Sequence, residues 1–232
     1  MTRCQRWTPA LLATILFAVP STTGNAETRS AAIGVAASIT PSAESGTGTV
    51  FQTLAPGSEL RANETVRTGD AGKADLVFVD RTNLTVGPTS EVKLDQFVYD
   101  PVGNKGKVVI QATRGAFRFA TGTQDHSAYQ LNTPYGSLGV RGTAFTCEVK
   151  PKGQKQQIAG CDIKCTVESG AVEATTSGGA KKTFQAGQTF CQSGNNFTVA
   201  SAGGPPPPPP PPAGPPGGGC TPQGTPVVIP CP

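Results

Sequence analysis

The sequence predicts an all-β protein: many short strands in a layered sandwich or solenoid-like roll, followed by a proline-rich disordered tail. Three observations predict it. Apolar and polar residues alternate at period two through most of the middle of the chain, and turn residues cut these runs roughly every 8 to 12 positions. No stretch of about a dozen residues keeps a 3.6-residue period without a glycine or proline.

Between Ile33 and Ala200 the runs come in order. Residues 74–79 put Ala74, Leu76 and Phe78 on one face; Glu91-Val92-Lys93-Leu94 alternates; Val108-Val109-Ile110 is β-branched; Phe117 and Phe119 share a face. Ala55-Pro56-Gly57, Thr68-Gly69-Asp70, Asp80-Arg81-Thr82-Asn83, Val86-Gly87-Pro88, Val102-Gly103-Asn104 and Ser177-Gly178-Gly179 read as the turns between them. Two patterns recur. Residues 54–60 and 184–190 both run apolar, two spacers, glycine, two spacers, apolar, while Gly115-Ala116-Phe117-Arg118-Phe119 resembles Gly170-Ala171-Val172-Glu173-Ala174. Strand and turn units used twice fit layered strands.

The ends are of another kind. Arg3 and Arg6 precede an apolar stretch from Ala10 to Val19 and the small residues Gly24-Asn25-Ala26, the pattern of a secretory leader at 1–26. Its cleavage would leave a short lead at 27–32, a β domain at 33–200, a Pro/Gly-rich linker at 201–219 and a tail at 220–232, with no membrane span. Removing Arg3, Arg6 and Cys4 leaves 17 basic against 15 acidic residues and six of the seven cysteines. That charge balance argues against a nucleic-acid or membrane-surface partner. The eight prolines from Pro205 to Pro212 form a semi-rigid spacer of roughly 25 Å.

An even cysteine count behind a leader points to disulfides. In an extended 161–165 segment Cys161 and Cys165 lie roughly 13 Å apart, too far to bond each other, so they should bond elsewhere, with Cys147 and Cys191 available. The expectation is two bonds within the domain and a third, Cys220 to Cys231, closing the tail. Zinc is disfavoured because His126 is the only histidine. It sits in the polar segment 121–127, which reads as an exposed loop. No nucleophile elbow exists, and Asp70, Asp75, Asp80, Asp95 and Asp100 read as turn caps and solvated strand positions. The expectation is no enzyme and no cofactor.

Residues 133–145, TPYGSLGVRGTAF, hold glycines at 136, 139 and 142 around Arg141. Their spacing fits neither a dinucleotide loop nor a Walker loop, and a strand rather than a helix follows. Arg141 is expected to be a buried guanidinium bonded to carbonyls or to a turn carboxylate, Asp80 or Asp70; a ligand-binding Arg141 is the competing reading.

These segments together resemble a known family. Thr65-Val66-Arg67-Thr68-Gly69-Asp70, the strand ending in Asp80, Leu84-Thr85-Val86-Gly87-Pro88-Thr89-Ser90, Gly115-Ala116-Phe117, Thr133-Pro134-Tyr135 and Val140-Arg141-Gly142-Thr143 follow in order the pattern of FecR domains. The resemblance implies structural roles for Gly69, Asp70, Asp80, Gly87, Ser90, Gly115, Pro134, Arg141, Gly142 and Thr143. It also implies a bacterial envelope location, periplasmic or at the cell surface, and a binding or scaffolding role towards an envelope protein or polymer. The namesake regulator adds a cytoplasmic segment, a membrane helix and a receptor-contacting domain that this sequence does not match. A soluble periplasmic modulator of a TonB-linked iron-uptake and sigma-factor relay is the alternative.

Overall fold

A computed structural model of the protein describes residues 30–103, 106–154 and 160–201. The predicted leader, the proline linker and the tail with Cys220 and Cys231 lie outside the described residues. Within them are fifteen strands: β1 Ala32–Thr40, β2 Ala43–Thr47, β3 Val50–Leu54, β4 Glu59–Arg61, β5 Thr65–Thr68, β6 Lys73–Phe78, β7 Asn83–Val86, β8 Glu91–Val98, β9 Lys107–Ala120, β10 Tyr129–Thr133, β11 Gly136–Val149, β12 Ile163–Thr176, β13 Lys181–Gln185, β14 Gln188–Ser193 and β15 Asn196–Ser201. Backbone pairing joins all of them into one sheet. Every pairing is antiparallel except that of β10 with β9.

Three long strands explain how one sheet becomes two layers. The first part of β9, residues 107–114, pairs with β8 and β10, whereas residues 115–120 pair with β7 and β11. β11 gives residues 136–140 to β10 and 144–149 to β9, and β12 gives 163–166 to β14 and 171–175 to β13. Each changes partners at a glycine in the left-handed region, with φ of +96° at Gly115, +59° at Gly142 and +68° at Gly170. One half therefore runs β3-β2-β5-β8-β9-β10-β11-β12-β13 and the other β4-β1-β6-β7-β9-β11-β12-β14-β15. Aromatic pairs tie the halves face to face: Phe78 with Phe97 at 5.3 Å between ring centroids, Phe119 with Tyr129 at 6.0 Å, and Phe184 with Phe190 at 3.9 Å.

The alternation read from the sequence is the core. Ala74, Leu76 and Phe78, Val92 and Leu94, and Phe117 and Phe119 are all buried, as are the three consecutive residues Val108, Val109 and Ile110. The 54–60 and 184–190 patterns perform one task twice: each carries the chain from one half to the other, β3 to β4 and β13 to β14. Their glycines sit at φ +85° and +81°, and the Gly57 and Gly187 amides donate to Ala36 and Val167 carbonyls at 2.8 Å.

The Gly115-Ala116 and Gly170-Ala171 patterns are likewise one device. After each bend the alanine amide donates to a buried hydroxyl, Ser90 Oγ at 3.0 Å for Ala116 and Thr143 Oγ1 at 3.1 Å for Ala171. The amide of each hydroxyl residue donates in turn to a threonine oxygen, Thr68 Oγ1 for Ser90 and Thr121 Oγ1 for Thr143. Thr68 and Thr121 close the ring through their own amides, which donate to the Ser90 and Thr143 carbonyls at 3.0 and 3.1 Å. Both glycines are required to be bare, since a Cβ at Gly115 would overlap Ser90 and one at Gly170 would overlap the Gly142 and Arg141 carbonyls.

Cys147 bonds Cys165, the residue facing it across β11 and β12, and Cys161 bonds Cys191, with Cα separations of 4.1 and 5.4 Å. Two bonds form within the domain and neither joins Cys161 to Cys165, as expected. Closing loops of 18 and 30 residues contributes about 3 kcal/mol apiece in the chain-entropy model. One segment differs from its reading. Residues 121–127 are not wholly an exposed loop: Gln124 is buried, its amide donates to the Tyr129 hydroxyl at 3.0 Å, and Asp125 caps a short 3-10 turn over His126–Ala128. The buried Tyr129 hydroxyl needs a partner, and the loop folds inward to supply one.

Candidate functional site

Arg141 is not buried. Its side chain is 70% exposed, and its nearest anion is Glu173 at 4.0 Å, itself 38% exposed. Leu138 and Val140 face the core, a register shift follows between Arg141 and Ala144, and Thr143, Phe145 and Cys147 face the core again. Alternation from Val140 leaves Arg141 on the outer face, and the inserted residue after it turns Thr143 back to the core. What packs at the crossing is the Arg141 backbone, whose carbonyl approaches Gly170, while the guanidinium points away.

The expected acidic partners are engaged elsewhere. Asp80 is fully buried, and its carboxyl oxygens accept the Thr82 amide at 2.8 Å, the Thr82 hydroxyl at 2.7 Å and the Tyr129 hydroxyl at 2.9 Å. Burial first, with the neighbouring Asp80 adding to it, pushes the Tyr129 phenol up to about 12, so it stays a neutral donor. The Asp80 carbonyl accepts from the amide and hydroxyl of Thr123, which joins the turn after β6 to the segment before β10. Asp70 is exposed, with the Thr89 hydroxyl at 3.4 Å.

The remaining motif residues gather around the bends. Gly69 accepts the Gly72 and Thr89 amides, and Gly87 donates to Ala116 at 2.7 Å. Ser90 and Gly115 form the first bend, Gly142 and Thr143 belong to the second, and Pro134 stands in the turn between β10 and β11. Arg141 is the one whose side chain is left pointing to solvent with only a distant ion pair.

Its surroundings are largely polar. Gly139 lies between Gln130 and Glu173 in the strand register, and the nearest atom to a Cβ built there is 3.8 Å away. The next row across the same sheet is Gln111, Asn132, Ser137 and Thr175, with the Gln130 amide donating to Asn132 at 2.7 Å. Guanidinium, amide and hydroxyl groups beside a bare strand can hydrogen-bond a polar chain laid across them. No local signal marks this shelf, because Gln130 and Glu173 come from other strands.

The other carboxylates have structural partners. Asp95 faces Lys93 at 3.4 Å, and Asp100 accepts the Val102 and Gly103 amides of its own turn. Among the described residues no group of three or more His, Cys, Asp and Glu could hold a metal ion, and no helix is long and apolar enough to cross a membrane. Burial alone would raise Asp75, Asp162 and Glu168, but their donors outweigh it: Lys73, Ser38 and Thr85 on Asp75, Lys150 and the Gly194 amide on Asp162, Arg118 and Thr146 on Glu168. All three sit below the ordinary carboxylate range.

A carboxylate lowered by folding contributes stability that is complete above its unfolded pKa and is lost as pH falls through the folded one. The domain is therefore expected to melt at nearly constant temperature over roughly pH 5 to 8 and to lose stability progressively below about pH 4. Thermal melts of the protein and of an Asp75→Asn, Asp162→Asn, Glu168→Gln triple variant check this. The variant should show a flatter acid limb, and identical limbs would refute the assignment.

Residues 64–173 match the family model described as FecR protein. Two crystal structures of a candidate anti-sigma factor from Parabacteroides distasonis ATCC 8503 align with the chain at 8% identity and a TM-score of 0.45. Each alignment covers 59% of this chain, and the chain spans only 59% of the length of those structures. No curated protein sequence matches the chain.

Proposed function

We propose, from the match of residues 64–173 to the FecR family model, that the protein is an exported, non-enzymatic protein of the bacterial envelope. It binds or scaffolds an envelope protein or polymer through the outer face around Arg141. The carrying observation is the exposure of Arg141, since the neighbouring motif residues hold the bends while this one offers five donors to solvent. The two disulfides support an oxidising compartment outside the cytoplasm. The polar row beside Gly139 suits a partner with an extended, hydrogen-bonding backbone or hydroxylated chain. FecR domains are envelope-associated regulatory modules, so modulation of a TonB-linked iron-uptake and sigma-factor relay is the second reading.

Arg141→Ala and Arg141→Lys are expected to change stability by no more than about 0.5 kcal/mol, as for a surface side chain with one long ion pair. Both should lose capture of envelope components when wild type and variants are used side by side as bait, lysine less completely because it lacks the planar fork. Equal capture by Arg141→Ala would remove this face from consideration. A deletion strain with unaltered iron-responsive transcription would remove the relay.

A further inference from the structure

A second cleft, sharing no residue with the Arg141 shelf, opens where β9 bends. It has a volume of about 560 Å³, within the range of small-molecule sites, and the exposed Pro88 and the half-buried Pro151 line it with Arg114, whose side chain is 41% exposed. Around Arg114 the charges do not balance. Glu91 accepts Arg67 Nε at 3.1 Å and lies 3.5 Å from Arg114 Nη2, so one carboxylate serves two guanidiniums. Arg67 is the better held of the two, because it also stacks on the Phe51 ring at 3.9 Å. The Arg114 guanidinium makes no hydrogen bond to the described residues, and its Nε is enclosed without a partner. Lys150 also lines the cleft, but Asp162 at 2.8 Å takes its charge. The remaining anion of the lining is Glu148, whose cross-strand neighbour on β12 is Lys164.

The geometry points to this cleft as a binding site for a carboxylate carried on an apolar body, either a small organic acid or the free end of a peptide. An arginine with no hydrogen bond from the protein offers the planar fork that a carboxylate meets with two parallel bonds, after rotation about the arginine's terminal torsions. A buried donor without an acceptor is costly, and the ligand removes that cost. The charge count selects the class of anion. Arg67 and Arg114 against the single Glu91 leave one positive charge over at the arginine end of the cleft, which suits a monoanion, whereas a phosphate dianion would set its second charge against Glu91 and against Glu148 of the lining. Pro88 and Pro151 cover the hydrocarbon of the ligand.

The test is a titration of the nitrogen-15-labelled protein with N-acetyl-leucine, following the Arg114 Nε–H signal and the backbone amides of Gly115 and Val149. Saturable shifts with a Kd on the order of 1 mM are expected, as for a ligand of this size. N-acetyl-leucinamide and inorganic phosphate should bind at least about tenfold more weakly. Arg114→Gln should lose about tenfold or more in affinity while melting like wild type, and Glu148→Gln should bind about two- to threefold tighter by removing the competing charge. If Arg114→Gln does not fold, Glu148→Gln carries the test. N-acetyl-glycyl-glycyl-leucine separates the sources: equal affinity identifies a small acid, and tighter binding identifies a peptide end. Equal binding of the amide or of phosphate, unchanged binding by Arg114→Gln, or no saturable shift with N-acetyl-leucine overturns the assignment.

Discussion

Replacing Asp80 with alanine is expected to cost about 5 kcal/mol, close to the whole stability of a modest domain. The substitution strips the acceptor from three enclosed donors, the Thr82 amide, the Thr82 hydroxyl and the Tyr129 hydroxyl, and each unmet donor costs about 1–3 kcal/mol. Water cannot make up the loss, because Asp80 and Thr82 are fully buried and Tyr129 is nearly so. Asp80→Asn should cost less, about 2 kcal/mol, since one oxygen remains and the two hydroxyls can rotate to accept from the new amide. Chemical denaturation measures both. A loss below about 1 kcal/mol for Asp80→Ala would mean that the buried knot does not hold the turn after β6 to β10.

Gly115→Val is expected to cost 4–5 kcal/mol or more, on the order of the largest single-residue effects. At φ +96° a β-branched residue is strained before any contact is considered, and the added carbon would overlap Ser90. The displaced Ser90 would then release the Ala116 amide, so the bend and its clamp fail together. Gly139→Ala is the control. It sits in ordinary strand pairing with 3.8 Å of clearance and should stay within about 1 kcal/mol of wild type. Equal denaturation midpoints for Gly115→Val and Gly139→Ala would refute the claim that the bend requires glycine.

Strand identity was legible because it is local: the alternation at 74–79 and 91–94 needs nothing but its own side chains. The disulfide restriction was legible because the rise of a strand fixes how far Cys161 stands from Cys165. Partner exchange along β9, β11 and β12 was not, since nothing within residues 107–120 says that β8 and β10 give way to β7 and β11. Arg141 departs from its expected burial for a related reason. Its glycine neighbours do mark a close approach of backbone, but the approaching atoms belong to Gly170 and the Arg141 carbonyl. Plain alternation from Val140 would have placed the side chain outside. The Arg114 cleft left no trace, because its walls come from the turn before Ser90, the bend of β9 and the end of β11.

The three strands shared by both halves make the domain a poor hinge. Opening one layer against the other would have to break the ladders of β9, β11 and β12 together, at bends already locked by hydroxyls and with Cys147 bonded to Cys165 across two of them. Signalling by domain closure needs a few residues that can absorb large backbone rotations, and here the bends at Gly115 and Gly170 are held by hydroxyl clamps and close backbone contacts. On the proposed function, a partner held at the Arg141 face would be relocated with a rigid body, so that the message lies in occupancy and place.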